Sequence, residues 1–152
     1  MSAVSVKMPS ANKVASNEII FVGIKPESLM TPLEKMAKIR QGLNKGDLEK
    51  LKSRTELDYD ELSRVLSVGR ATLINKKGAE KYSSSISEKL LGVADIYSYG
   101  FMVFEDEERF KKWMSKPIQA LGGKAPLDVI DNQFGREEVK NLIGRIEYGV
   151  FS

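Results

Sequence analysis

After residue 30, the apolar residues of this chain recur at helical spacing, and helix-start signals punctuate them. Thr31-x-x-Glu34 has the form of a capping box, with Pro32 at the first helical position where its missing N–H costs nothing. DLEKLKSR (47–54) follows, with Asp47 as the expected N-cap and Leu48 and Leu51 on one face. DYDELSRVL (58–66) carries Leu62, Val65 and Leu66 at i, i+3 and i+4. Ser85-x-x-Glu88 predicts a further start, for a helix turning Ile86, Leu90, Val93 and Tyr97 inward. EDEERFKKWM (105–114) sets four acids ahead of two lysines, the order the helix dipole favours, with Phe110, Trp113 and Met114 as its apolar face. Gly122-Gly123 predicts a turn, Pro126 a restart, and GREEVKNLIGRIEY (135–148) a last helix with Val139, Leu142, Ile143 and Ile146 in its stripe. EIIFVGI (18–24) alone reads as a strand. The expected fold is all-α with that one short N-terminal strand. A flexible arm over 1–30 is expected to precede units at 31–100 and 101–152, with the seam near residues 98–106.

Composition narrows the chemistry. At 41% hydrophobic and 30% charged residues, the 152-residue chain has the make-up of a soluble globular protein. It has no run of about 18 apolar residues that would suggest a membrane span. The first 18 residues, MSAVSVKMPSANKVASNE, lack the apolar centre of a secretory signal, so a cytoplasmic location is expected. The chain contains neither histidine nor cysteine. That removes the commonest metal ligands and every Ser-His or Cys-His nucleophile, so no metal, no cofactor and no catalytic residue is expected. An enzyme built on carboxylates, lysines and hydroxyls remains as a third reading, but no motif assembles one. Asp128 is read as a carboxylate in a helix's first turn rather than as half of an active-site pair with Asp131. Charge is uneven: residues 105–152 hold 9 acidic and 8 basic residues, leaving the basic excess of the whole chain, +3, in the front part. Such an excess suits a nucleic-acid partner only weakly.

LSRVL-SVG-RATLINKK (62–77) has the pattern of two short helices joined by a three-residue turn, the helix-turn-helix arrangement. Leu62, Val65, Leu66, Val68, Leu73 and Ile74 would fill the crossing. The second helix would then present Arg70, Thr72, Asn75, Lys76 and Lys77 to a DNA groove. Lysines at a helix end are also favoured by the dipole without any ligand. Flanking Asp58, Asp60, Glu61 and Glu80 thin the basic field, and readers of this kind work as two-fold dimers on paired half-sites.

The back of the chain carries a more specific pattern. Trp113, Pro117, Ala120-Leu121-Gly122-Gly123, Pro126-Leu127-Asp128, Gly135 and Arg145-Ile146-Glu147-Tyr148-Gly149 follow one another in order. This resembles the C-terminal toxin-binding domain of Xre-type antitoxins, the Xre/MbcA/ParS family paired with RES-domain toxins. With the helix-turn-helix ahead of it, the resemblance covers roughly residues 31–152. It implies a type II toxin–antitoxin system in which the RES toxin degrades NAD. The antitoxin, not itself an enzyme, would occlude the toxin's active site with its C-terminal region. It would also form a homodimer and repress its own operon at operator DNA. The recognition segment departs from the family's habit: lysines Lys76 and Lys77 stand where an arginine pair is common, which keeps phosphate contact and weakens bidentate base reading. The other reading is a stand-alone helix-turn-helix regulator whose back half only dimerises.

Gly149 is placed to end the last helix in the left-handed conformation. The toxin-binding residues implied are Arg145, Tyr148, Gly149, Val150, Phe151 and Ser152. Arg145 and Tyr148 beside two apolar residues have the composition of an interface hot spot. The alternative is that Val150 and Phe151 fold back onto the Trp113 helix.

Overall fold

The computed structural model describes residues 17–149. Among these, the elements are seven α-helices and three short 3₁₀ turns, with no strand. The helices are α1 (Pro32–Gln41), α2 (Lys45–Thr55), α3 (Tyr59–Leu66), α4 (Arg70–Asn75), α5 (Ser84–Phe104), α6 (Glu107–Met114) and α7 (Gln133–Glu147). The 3₁₀ turns are Glu27–Leu29, Gln119–Leu121 and Pro126–Asp128.

The capping signals mark most helix starts, some a few residues from where the sequence suggests. Thr31 and Glu34 form the expected capping box. For α2 the cap is Asn44, and Asp47 is its reciprocal partner at the third position rather than the cap itself. Asp58 and Glu61 form a third box at α3. For α5 the cap is Ser83, whose hydroxyl accepts from the Ile86 amide, so Ser85-x-x-Glu88 lies inside the helix. Serine hydroxyls at neighbouring positions offer equivalent local bonds, and packing chooses between them.

The strand expected at 18–24 is absent; these residues form bends and turns. Their amides are satisfied by a side chain instead of a ladder. The buried Glu27 carboxylate accepts from the backbone N–H groups of Ile19 (2.9 Å), Ile20 (2.6 Å) and Phe21 (3.0 Å). This wraps the segment tightly and buries Ile19 and Ile20 completely. Ile19, Ile20, Phe21 and Met30, expected as part of a loose arm, thus join the core, and Ser28 is tied to Ser98 on α5 by both its amide and its hydroxyl. Residues 1–16 lie outside the described residues.

α5 is the axis of the molecule. Leu90, Leu91, Val93, Ala94, Ile96, Tyr97 and Phe101 are buried around its circumference, because other elements cover it on nearly all sides. It runs through residues 98–104, where the seam is expected, without a break. Gly100 lets α6 close onto it: a Cβ there would lie 2.1 Å from the Phe110 ring. Tyr97, Phe101, Phe104, Phe110 and Trp113 then pack at centroid separations of 5.2–5.9 Å. Phe110 is thereby a core anchor, as the sequence suggests, while Trp113 is partly buried and packs against it. Four ion pairs link the front and back of the chain: Arg54–Glu107 (2.9 Å), Glu56–Lys111 (2.9 Å), Asp95–Lys140 (2.7 Å) and Arg64–Asp128 (2.8 Å). The last pair gives Asp128 a structural partner, while Asp131 accepts from its neighbour Asn132.

Candidate functional site

Two surfaces gather the residues singled out from sequence. The first is the α3–α4 pair. Leu62, Val65, Leu66 and Leu73 are buried at its crossing, with Val68 and Ile74 partly buried. The left-handed residue of the connection is Ser67 (φ 55°), not Gly69 (φ −58°). The Ser63 hydroxyl donates to the Val68 carbonyl (2.6 Å) and braces this turn. α4 has only six residues, ending at Asn75 where a helix through Lys77 is expected. Lys76 is already extended, and the Lys77 amide turns toward the Glu80 carboxylate (3.3 Å). Tethers on the α4 carbonyls hold this short helix: Tyr82 Oη donates to Leu73 O (2.7 Å) and Lys45 Nζ to Ile74 O (2.8 Å).

Of the five residues offered to DNA, Arg70, Thr72, Asn75 and Lys77 are exposed. Arg70 is paired with Asp60 across the surface at 3.3 Å. Lys76 is half-buried, its ammonium 5.7 Å from the centre of the Tyr82 ring. Beside it, burial first, and then the nearby Tyr59 and Glu49, push the Tyr82 hydroxyl up to about 12.

The second surface is a wide groove between α5 and α7, lined by Ser28, Tyr99, Lys140, Asn141, Gly144, Arg145 and Tyr148, with a volume of about 650 Å³. Lys140, Gly144, Arg145 and Tyr148 come from one side of α7, a spacing visible in sequence. Sequence reasoning reaches Arg145 and Tyr148 but not Lys140 and Asn141. Tyr99 and Ser28 carry no sequence signal for this role, because only the packing of α5 and the 3₁₀ turn against α7 brings them there. Tyr99 Oη donates to Glu147 Oε1 (2.6 Å); burial and this bond raise its hydroxyl to about 12. Lys140 Nζ lies 2.7 Å from Asp95 Oδ2, which also takes Lys35 Nζ at 3.0 Å, so the carboxylate joins α1, α5 and α7. Arg145 is exposed and Tyr148 is 79% exposed. Ile146, expected in the buried stripe, is only partly covered because the helix is about to end. Gly149 ends it with φ 71°, its amide donating to the Ile146 carbonyl (3.1 Å). Val150, Phe151 and Ser152 lie outside the described residues. The Gly122-Gly123 turn has the positive φ angles (70° and 85°) its sequence calls for.

No cluster of three or more potential metal-binding side chains occurs among the described residues, and no helix there is long and apolar enough to cross a membrane.

The sequence around this groove matches a family model, the antitoxin Xre/MbcA/ParS C-terminal toxin-binding domain, over residues 100–149. The chain is also similar to curated antitoxins. A Prs ADP-ribosylating antitoxin of Sphingobium sp. (strain YBL2) is 28% identical over 133 residues, covering 80% of this chain and 83% of that relative. Antitoxin Xre of Photorhabdus laumondii and antitoxin Xre of Yersinia enterocolitica are each 25% identical over 116 residues, covering 75% of this chain and 78% of each relative. Together these support an Xre-type antitoxin, and the segment that matches the toxin-binding domain contains α6, α7 and the α7 wall of the groove. The aligned lengths exceed the matched domain, so the similarity extends into the front of the chain as well.

Proposed function

We propose that this chain is the antitoxin of a type II pair, and that it neutralises an NAD-degrading RES-domain toxin by covering its active site. The observation that carries the reading is the groove of the matched domain, where Tyr148 stands in solvent beside Lys140 and Arg145. An exposed tyrosine next to an arginine, on a rigid helix, is the composition of an interface anchor. Tyr99, Tyr148 and the two cations supply aromatic area and charge for a partner surface, and residues 149–152 follow Tyr148 in the sequence. The name of the Sphingobium relative refers to ADP-ribosylation. That reaction spends NAD, which accords with a toxin acting on the same cofactor. The chain contributes no chemistry of its own in this reading; inhibition is steric.

The second half of the proposal is repression of its own operon. Arg70, Thr72 and Asn75 are exposed on a short helix held by its neighbours, and Lys77 is exposed just beyond its end, as residues that read a DNA groove would be. Arg70 must leave Asp60 to reach a base or phosphate, so part of its binding energy is spent on that exchange. Lys76, seated over Tyr82, supports the helix end more than it reaches outward.

Co-expression with a RES toxin encoded by the adjacent reading frame tests the first half. The toxin is expected to co-purify, and cellular NAD to be preserved. Deleting Gly149–Ser152 is expected to release NAD loss while the far-ultraviolet spectrum and melting curve of the antitoxin stay unchanged. Full neutralisation by the truncated chain would remove the C-terminal residues from the mechanism. Failure of any RES toxin to co-purify would favour a stand-alone regulator.

A further inference from the structure

A depression beside α6 shares no lining residue with the groove of α5 and α7. Phe104, Arg109, Lys112, Trp113 and Lys116 wall it, and its volume is about 220 Å³. Its floor is aromatic. Phe104 and Trp113 are half-buried at a centroid separation of 5.6 Å, and the buried Phe110 stacks on the indole at 5.7 Å with 23° between the planes. The Arg109 guanidinium lies 5.7 Å from the centre of the Phe104 ring. The rim is cationic. Arg109, Lys112, Trp113 and Lys116 stand at i, i+3, i+4 and i+7, so α6 and the residues just past its end set them along one side.

The other charges of α6 are engaged inside the fold. Glu107 pairs with Arg54, Lys111 with Glu56 and Glu108, and the Asp106 carboxylate accepts from the Arg109 amide as the helix cap. No ion pair among the described residues uses Arg109, Lys112 or Lys116, and all three are exposed. The helix dipole accounts for a lysine in the last turn, but it opposes Arg109, which stands in the first. Nor does it account for leaving the chain's single tryptophan half-open beside these cations.

We propose that this depression binds one nucleotide unit, its base on the Phe104–Trp113 floor and its phosphate held by Arg109, Lys112 and Lys116. Aromatic faces beside a cationic rim seat a flat ring and its phosphate together, whereas a simple anion leaves the floor in water. The volume lies below the roughly 300–1,000 Å³ of sites that take drug-sized ligands, which leaves room for one ring system and its phosphate rather than a whole dinucleotide. No carboxylate or amide side chain lines the depression to read a base edge, so stacking area decides, purine ahead of pyrimidine. A free nucleotide and a nucleotide within a single strand share this chemistry.

Trp113 is the chain's one tryptophan, so its fluorescence reports the site directly. The experiment titrates the full chain with adenosine monophosphate, adenosine, inorganic phosphate and a short deoxyadenylate single strand. The monophosphate is expected to quench saturably, with adenosine and phosphate each roughly tenfold weaker or more. The double variant Lys112→Ala/Lys116→Ala is expected to weaken the monophosphate roughly tenfold or more with melting unchanged, since both side chains are exposed. Lys50→Ala, at an exposed cation of α2 outside the lining, is expected to leave binding intact. A strand that binds more tightly than the monophosphate, with the gain lost in the double variant, makes single-stranded nucleic acid the source. A strand that binds no more tightly makes it the free nucleotide. Absence of saturable quenching by both overturns the proposal. So does unchanged affinity in the double variant, or adenosine or phosphate binding as tightly as the monophosphate. An acidic peptide carrying one phenylalanine that binds more tightly than any of these assigns the depression to a protein partner and overturns it too. Toxin co-purification is read separately, so neither result decides the other.

Discussion

At the scale of single residues, Glu27 organises more backbone than any other side chain in the structure. A strand would have paired the amides of residues 19–21 with carbonyls of another strand; a buried carboxylate six to eight residues away takes all three instead. Glutamate at this position carries no sequence signal, since it reads as an exposed charge in a turn after Pro26. Removing it leaves three buried donors with no acceptor, each costing about 1–3 kcal/mol before the segment relaxes. Glu27→Ala is therefore expected to lower the unfolding free energy by about 3 kcal/mol in urea titration. The amides of Ile19, Ile20 and Phe21 are expected to lose their protection from hydrogen exchange first. Retained protection at these three amides would show that they have another acceptor. Asp128 illustrates the opposite case: its bond to Arg64 accounts for it structurally, and the sequence already favours a non-catalytic role.

At the scale of elements, helix starts were more legible than helix ends. Asn, Asp, Ser and Thr caps act within three residues, so a local pattern finds them to within a turn. Three helices end instead on left-handed residues other than glycine: Glu56 after α2, Ser67 after α3 and Glu105 after α5. Each carries a modest strain of about 1 kcal/mol that surrounding packing offsets, and none announces itself as a stop. The early end of α4 has a similar origin, since Lys45 and Tyr82 reach its carbonyls from distant parts of the chain. That end separates two lysines the sequence treats as equivalent. If α4 reads DNA, Lys77→Ala is expected to reduce the salt dependence of operator binding by roughly one unit of slope for a lost phosphate contact. Lys76→Ala is expected to change it less, because that ammonium sits over Tyr82. Equal slopes for wild type and Lys77→Ala would take Lys77 off the DNA surface.

At the scale of the whole molecule, α5 holds the assembly together, and the Asp95 carboxylate with Lys35 and Lys140 fastens helices from both ends of the chain to it. Tyrosines distributed through this assembly set its alkaline limit. Glu49's hydrogen bond raises Tyr59 to about 12, burial raises Tyr82 and Tyr99 to about 12, and burial pushes the core residue Tyr97 up as well. Each hydroxyl ionises near 10 in the unfolded chain and higher in the folded one, so above pH 10 the unfolded state releases protons that the folded state keeps. The stabilisation is complete below pH 10 and is lost as the pH rises from 10 toward 12. Denaturation midpoints are expected to be level up to pH 10 and to fall beyond it, and in a Tyr148→Phe variant, which removes the exposed tyrosine, tyrosinate absorbance is expected to appear together with unfolding. Tyrosinate formed in the still-folded protein below that range would contradict the burial argument.

The sequence by itself determined the helical class, the capping box at Thr31 and Glu34, the approximate starts of other helices, the buried stripes of α3 and α7, the glycine stop at Gly149 and the kinship of the C-terminal segment. These rest on interactions within about eight residues, where spacing and side-chain chemistry suffice. Only the tertiary structure decided that residues 19–21 wrap a carboxylate, that α5 runs unbroken through residues 98–104, and that Tyr99 and Ser28 meet Lys140 and Tyr148 in one groove. Those outcomes depend on which surfaces meet across long sequence separations, where the free energy comes from burial and paired charge rather than from local conformational preference.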